Sequence, residues 1–142
     1  MAPHTGLVLA HGTFDPFHPG HLAYLSCAKQ LGTRLIVSVT SDRYVREQKG
    51  PGRPVIGEFD RMAMIHALTI VDGVVLSDAP TAIEIIRRFK PAVYAKGWDY
   101  AHGDPSGRLD GERAVVEEHG GRLEIIEAWP RYSSTAIMKA LT

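Results

Sequence analysis

The chain has 142 residues, of which 44% are hydrophobic and 23% are charged, a composition typical of one globular domain with a substantial core. Its 16 basic and 16 acidic residues cancel, so the charge balance gives no indication of nucleic acid or a membrane surface as a partner. The single cysteine, Cys27, excludes an internal disulfide, and we expect a reducing, cytoplasmic location. No apolar run approaches the roughly 20 residues of a membrane span, and residues 1–6 lack the features of a secretory signal.

The first segment predicts a strand, a tight turn and the start of a helix. Residues 7–10 form an apolar run typical of a buried strand, and apolar residues recur at helical spacing from Leu22. Pro19 suits the first turn of that helix, because its missing N–H would have no partner there. This arrangement directs backbone N–H groups and the positive end of a helix dipole at one point, which favours a bound phosphate. His18 and His21 share a helix face, so we expect both imidazoles to reach the same anion.

The rest of the chain alternates strands with helices. We predict strands at residues 34–39, 73–77, 92–96 and 123–126, and helices at 43–48, 58–68, 81–89, 110–119 and 136–141. This alternation predicts an α/β fold, with one Rossmann-like domain over residues 1–142 that contains a five-stranded parallel sheet with helices on both faces. Leu31 and Gly32 indicate the end of the first helix, and Arg61, taken alone, is interpreted as a solvated charge.

Polar residues follow several predicted strands at the sheet edge where open α/β folds bind ligands. Residues 40–42 (TSD) end the second strand. The glycine- and proline-rich segment 49–54 comes soon after, and its two cations favour a phosphate-contacting flap over a mobile surface loop. The long segment 97–107 contains two aromatic residues, which indicates a binding loop.

Residues 12–21, GTFDPFHPGH, resemble the nucleotidyltransferase signature G-x-F-D-x-x-H-x-G-H. That superfamily includes glycerol-3-phosphate cytidylyltransferase, heptose-1-phosphate adenylyltransferase, pantetheine-phosphate adenylyltransferase and archaeal FAD synthetase. The chain is most similar to the adenylyltransferase domain of bacterial ADP-heptose biosynthesis, and the resemblance runs from about residue 8 to residue 141. It departs from that family at Trp98 and Arg131, where glycine is common, and at Ser134, where threonine is common. The segments that carry the resemblance are 49–54, 61–62, 96–100 and 132–135.

The resemblance implies an enzyme that transfers a nucleotidyl group from a nucleoside triphosphate to a phosphorylated small molecule. Such a reaction needs donors and cations that neutralise developing charge, rather than a protein nucleophile. The leading prediction is adenylyl transfer from ATP to a sugar phosphate such as heptose 1-phosphate. The alternatives are CTP-dependent cytidylyl transfer to glycerol 3-phosphate or another polyol phosphate, and a nucleotide sensor without catalysis. The G-x-G-x-x-G turn of dinucleotide-binding oxidoreductases is absent from the sequence.

The expected cofactor is Mg²⁺ bound mainly through the nucleotide phosphates, because the sequence shows no cage of protein ligands and no zinc spacing. Homodimers are common in the superfamily, so the resemblance allows a homodimer here.

The resemblance and the loop pattern together predict the site residues. The predicted catalytic residues are His18, His21 and Lys49. The predicted nucleotide-binding residues are Gly12, Thr13, Phe14, His18, Gly20, His21, Arg61, Lys96, Gly97, Asp99, Ser133, Ser134 and Thr135. The predicted acceptor-binding residues are Asp15, Asp42, Lys49, Trp98 and Tyr100.

Overall fold

The computed structural model describes residues 4–97 and 107–127. The predicted elements in these ranges are confirmed, although several begin or end at a different residue, and the predicted helix 136–141 lies outside the described residues. Within the described ranges, no helix is long and apolar enough to cross a membrane. The strands are β1 (His4–Gly12), β2 (Arg34–Thr40), β3 (Gly73–Ser77), β4 (Pro91–Gly97) and β5 (Arg122–Ile126), and the helices are α1 (Pro19–Lys29), α2 (Asp42–Lys49), α3 (Glu58–His66), α4 (Ile83–Phe89) and α5 (Arg108–Glu118).

The five strands form one parallel sheet in the order β3-β2-β1-β4-β5. The chain runs outward from β1 to β3 and then returns to β4 on the other side of β1, so the strand order reverses between β1 and β4. Pairing of β1 with β4 ends at Ala10 and Ala95, whereas pairing of β1 with β2 continues to Gly12 and Val39. A crevice therefore begins between β1 and β4 at the carboxyl ends of the strands, where open α/β sheets bind their ligands.

A hydrophobic core covers each face of the sheet, and strand alternation determines which residue joins which core. Val8 on β1 packs in the core that includes Leu25 of α1 and Ile65 of α3. Leu9, the next residue along β1, packs in the core that includes Ile86 of α4 and residues of α5. The predicted arrangement of helices on both faces is thus confirmed.

The first helix ends slightly before the predicted position, and one interpretation of a single residue is wrong. The helix ends at Lys29 and is capped by Gln30, and a Cβ at Gly32 would collide with the Gly6 carbonyl oxygen. The interpretation of Arg61 as a solvated charge fails, because Arg61 is fully buried on α3 whereas Phe59 on the same helix is 74% exposed. Burial of a guanidinium is tolerated where protein acceptors replace water around it.

Candidate active site

His18 and His21 lie at the start of α1, just beyond the carboxyl end of β1. Their rings stack nearly parallel, with an interplanar angle of 16° and ring centroids 3.6 Å apart. The His18 Nδ1 accepts the His21 backbone N–H at 3.3 Å, and the His21 Nδ1 accepts the His18 backbone N–H at 3.2 Å. The two histidines therefore form a reciprocal capping box, and the helix start itself holds the imidazoles together.

This capping determines which nitrogen of each ring carries the proton. An Nδ1 that accepts a hydrogen bond carries no proton, so each ring keeps its proton on Nε2. Burial, with smaller electrostatic contributions from His18 and Lys49, lowers the pKa of His21 to about 3. His21 is therefore a neutral Nε2–H donor at neutral pH. Fixed donors of this kind stabilise negative charge that develops during a reaction.

The turn between β1 and α1 depends on glycine at position 12. Phe14 has a φ of 55°, in the left-handed region that non-glycine residues rarely adopt. Its ring packs edge-on against the His21 ring, with centroids 5.0 Å apart. A Cβ at Gly12 would lie 2.9 Å from the Phe14 ring, so a larger residue would displace the ring that supports the histidine pair. Thr13 in this turn and Gly20 in the first turn of α1 are both half-buried.

Asp15 anchors the loop that follows α2. Its buried carboxylate accepts hydrogen bonds from the backbone N–H groups of Val55 and Ile56, each at 2.8 Å, and from Arg53 Nε at 2.9 Å. Burial alone would raise the pKa of Asp15, but these hydrogen bonds and the charge of Arg53 outweigh it and lower the pKa. Arg53, one of the two cations of segment 49–54, is thus paired with Asp15. The predicted contact of this segment with a phosphate is therefore assigned to Lys49, and it stays a prediction. Binding of the acceptor by Asp15 stays a prediction.

Arg61 joins four segments at the carboxyl edge of the sheet. Its Nε donates to the Ile56 carbonyl at 2.8 Å, and its Nη1 donates to the carbonyls of Thr13 and Thr40, both at 2.7 Å. Its Nη2 pairs with the Asp42 carboxylate at 2.8 Å. The buried guanidinium thus connects the turn after β1, the end of β2 and the starts of α2 and α3 through charge-assisted hydrogen bonds. A direct contact of Arg61 with the nucleotide stays a prediction.

The end of β2 carries a carboxylate that remains accessible. The Asp42 side chain is 34% exposed although it pairs with Arg61. Its backbone N–H donates to the Glu58 carboxylate at 2.8 Å, which ties the start of α2 to the start of α3. The neighbouring Ser41 donates its hydroxyl to Asp78 at 2.8 Å, beyond the end of β3. Asp42 therefore lies at the edge predicted for ligand binding, and its contact with the acceptor stays a prediction.

His11 is a crevice residue that the sequence reasoning missed. It lies on the sheet face that carries α4 and α5, and its Nδ1 is 2.7 Å from the Ser38 Oγ. Burial and the charge of Lys96 lower the pKa of His11 to about 3. Lys96 on β4 is itself buried, with its Nζ 5.6 Å from the centre of the Tyr94 ring. The sequence signal was strand alternation, because His11 comes two residues after the buried Leu9 at the carboxyl end of β1.

The structure thus brings several of the predicted residues to one edge of the sheet. Gly97 is the last residue of β4, and nothing lies within 4 Å of the position that a Cβ would take there. The remaining predicted site residues lie outside the described residues, and their predicted roles stay predictions. They are Trp98, Asp99, Tyr100, Ser133, Ser134 and Thr135.

Comparison with known proteins identifies the family. The family model described as "Cytidylyltransferase-like" matches residues 9–140. The chain belongs to the cytidylyltransferase-like family. This confirms that the chain is a nucleotidyltransferase and that the resemblance stated for residues 12–21 is correct.

Curated relatives of this family member include the bifunctional protein HldE of several bacteria. The protein from Methylobacillus flagellatus is 39% identical over 135 residues, which cover 95% of this chain and 27% of that protein. The protein from Koribacter versatilis is 38% identical over 133 residues, which cover 94% of this chain and 26% of that protein. The chain therefore spans about a quarter of the length of these relatives.

Solved structures extend the similarity to the fold. The lipopolysaccharide core biosynthesis protein from Thermoplasma volcanium GSS1 has a TM-score of 0.71 and 26% identity, covering 92% of this chain and 100% of that chain. The pantoate-beta-alanine ligase from Francisella tularensis has a TM-score of 0.62 and 15% identity, covering 97% of this chain and 66% of that chain. The second similarity concerns the fold alone.

Proposed function

We propose that this domain transfers the adenylyl group of ATP to the phosphate of a sugar 1-phosphate, with heptose 1-phosphate as the leading acceptor. The observation that carries the proposal is the stacked and reciprocally capped pair His18 and His21 at the start of α1, beside the crevice between β1 and β4. Two fixed imidazole donors at a helix N-terminus suit a bound polyphosphate. The reaction partners are then a nucleoside triphosphate and a phosphorylated small molecule.

In the proposed reaction, a phosphate oxygen of the acceptor attacks the α-phosphorus of the nucleotide. The new P–O bond forms as the bond between the α-phosphorus and the bridging oxygen breaks, and pyrophosphate leaves in line. The Nε2–H groups of His18 and His21 donate to phosphate oxygens as negative charge grows on them. Lys49, the last residue of α2, and Lys96, near the end of β4, are the cations proposed to add positive charge to this site.

Mg²⁺ is the proposed cofactor, and it would neutralise the phosphate charge when bound. Within residues 4–97 and 107–127, no group of three or more His, Cys, Asp and Glu side chains can hold a metal ion. The carboxylate of Asp15 is committed to Arg53, whereas Asp42 keeps an exposed fraction of 34%. This set of side chains fits an ion that is held mainly by phosphate oxygens and water. Asp42 is the carboxylate that would contact such an ion.

Two observations favour adenylyl transfer to a sugar phosphate over the alternatives. The relatives at 36–39% identity are named HldE, and the sequence resemblance links the chain to the adenylyltransferases of ADP-heptose biosynthesis. Cytidylyl transfer to glycerol 3-phosphate or another polyol phosphate remains the second candidate, since it uses the same phosphate-binding groups. The intact histidine pair argues against a nucleotide sensor that lacks catalysis. A homodimer and a cytoplasmic location stay predictions.

The test is a pyrophosphate-release screen of the purified protein with Mg²⁺. ATP, CTP, GTP and UTP are each combined with heptose 1-phosphate, glycerol 3-phosphate and FMN, and each pair is repeated without acceptor. The proposal expects the highest kcat/KM for ATP with the sugar 1-phosphate. Preference for CTP with glycerol 3-phosphate would replace it with the cytidylyl alternative. Nucleotide binding without turnover by any pair would favour the sensor.

A further inference from the structure

The side chain of Tyr24 reaches from α1 to the point where β1 and β4 part. Tyr24 is 7% exposed, and its ring belongs to the core on the α1 face of the sheet. Its hydroxyl accepts a hydrogen bond from the His11 backbone N–H at 3.3 Å and donates one to the Ala95 carbonyl at 2.5 Å. One phenolic oxygen thus bridges the backbones of two neighbouring strands.

This bridge lies at the end of the β1–β4 ladder. The last pair of that ladder is Ala10 with Ala95, and β1 pairs with β2 alone beyond it. Backbone N–H and C=O groups that become buried need partners. The Tyr24 hydroxyl is the hydrogen-bond partner of one backbone group on each strand at the point where the crevice begins. The hydroxyl therefore links β1 to β4 where their direct pairing ends.

Each end of the bridge is next to a predicted phosphate-binding group. Tyr24 follows His21 by three residues, so the two residues share a face of α1. His11 directly precedes Gly12 and the turn that supports the histidine pair, and Ala95 directly precedes Lys96. A single hydroxyl therefore connects the helix with the histidines, the turn after β1 and the strand that carries Lys96.

We propose that Tyr24 is a positioning residue, whose hydroxyl sets the distance between the His18–His21 pair and Lys96 across the crevice. The kinetic part of this inference rests on the proposed function, because it assumes that both groups act on one nucleotide. A small displacement of groups that must act together in the transition state costs turnover more than it costs binding of the ground state. Removal of the hydroxyl should therefore lower kcat more than it changes KM.

The test uses Tyr24→Phe, which keeps the buried ring, and Tyr44→Phe as a matched control that removes one hydroxyl from the half-buried tyrosine of α2. We expect Tyr24→Phe to lower kcat by about tenfold or more and to change the KM for the triphosphate by less than about threefold. Tyr44→Phe should keep the wild-type values. An unchanged kcat in folded Tyr24→Phe protein would overturn the proposal, as would a loss of thermal stability with wild-type kinetics.

A double-mutant cycle tests whether Tyr24 acts through Lys96. Lys96→Gln and Tyr24→Phe are measured alone and combined, and the combined loss of kcat should be clearly smaller than the product of the single losses. If the loss of kcat in the double variant equals the product of the two single losses, Tyr24 does not act through Lys96, and the proposal is overturned.

Backbone amide NMR separates this inference from the proposed function. Tyr24→Phe should shift the His11 and Lys96 amide signals relative to wild type, and Tyr44→Phe should leave them in place. Unchanged signals in Tyr24→Phe would overturn the bridge, whatever the enzyme activity. If wild-type protein releases no pyrophosphate with any triphosphate, the proposed function fails, and the shifts of the His11 and Lys96 signals alone decide whether Tyr24 spaces the strands.

Discussion

The imidazoles of His18 and His21 hold each other in place, because each Nδ1 accepts the backbone N–H of the other residue. Replacing either histidine removes one donor from the predicted phosphate site and one cap from α1. We expect His18→Ala and His21→Ala each to lower kcat by roughly 10²–10³-fold, the cost of one donor to developing charge. Steady-state pyrophosphate release measures this loss. The control is His66→Ala at the exposed end of α3, and near-wild-type turnover in both site variants would contradict the assignment.

The half-buried imidazoles of His11 and His21 also make the stability of the fold depend on pH. The pKa values of His11 and His21 are lowered from 6.5 to about 3 in the folded chain, so the unfolded chain takes up protons that the folded chain does not. Their contribution to stability is therefore complete above pH 6.5 and is lost progressively as the pH falls toward 3. The pKa values of Asp15 and Asp72 are also lowered, and they cause a further loss of stability at low pH. That loss begins only near pH 3.8, the ordinary pKa of an aspartate.

Calorimetric Tm values measured from about pH 8 downward test this prediction. The Tm should already fall between pH 6.5 and 3.8, before the two aspartates contribute. His21→Gln should reduce the fall of Tm between pH 6.5 and 3.8, and His66→Gln should not change it. A Tm that stays constant down to pH 3.8 would contradict the lowered pKa values of His11 and His21.

At the scale of the elements, the carboxyl edge of the sheet depends on Arg61 of α3. Its guanidinium donates to three backbone carbonyls and pairs with Asp42. We expect Arg61→Met to lower the free energy of unfolding by about 3 kcal/mol or more, because buried carbonyls and a carboxylate lose their partner. Urea denaturation measures the change, with Arg46→Met on the exposed face of α2 as the control. Unchanged stability with weakened nucleotide binding would instead favour a direct role of Arg61 at the nucleotide.

The end of α2 is exposed, whereas the loop that follows it is held by hydrogen bonds. Asp15 holds Arg53, Val55 and Ile56, whereas Lys49 is exposed at the end of α2 and influences His21 electrostatically. Loss of a charged hydrogen bond costs about 1.5–3 kcal/mol, so we expect Lys49→Ala to raise the KM of a phosphate substrate roughly tenfold or more.

The Tm of Lys49→Ala should stay within about 2 °C of wild type, because an exposed side chain contributes little to the core. Arg46→Ala removes one positive charge from the same helix and should leave both KM and Tm unchanged. A large fall in Tm with normal kinetics would identify Lys49 as a structural residue.

At the scale of the whole molecule, the two hydrophobic cores lie on opposite faces of the same sheet, and each strand contributes side chains to both. Leu25 and Ile86 are fully buried on opposite faces of the sheet. We expect Leu25→Ala and Ile86→Ala each to lower the free energy of unfolding by about 2–5 kcal/mol, within one cooperative transition. Far-UV circular dichroism and the near-UV absorbance of the tyrosines, of which Tyr24 and Tyr94 are buried, should report coincident unfolding curves. Leu22→Ala, at an exposed position, should change little, and two separate transitions would contradict a single cooperative unit.

Local patterns were sufficient for most of the fold. The strand predicted at 73–77 is β3, because an apolar run bounded by Gly73 needs no distant partner to be recognised. The spacing of His18 and His21 predicted that both lie at the start of α1 and on one face, and the capping box brings their rings into contact there. Arg61 was misinterpreted because its partners, Thr13 and Thr40, are 48 and 21 residues away in sequence.

The sequence by itself determined the alternation of strands and helices, the family signature at residues 12–21 and the pairing of the two histidines. These features depend on residues that are close in sequence, where periodicity and helix geometry decide the outcome. Only the tertiary structure decided the reversal of strand order between β1 and β4, the burial of Arg61 and the bridge from Tyr24 to His11 and Ala95. Each of these joins segments that are remote in sequence, and their hydrogen bonds form because polar groups buried together must satisfy one another.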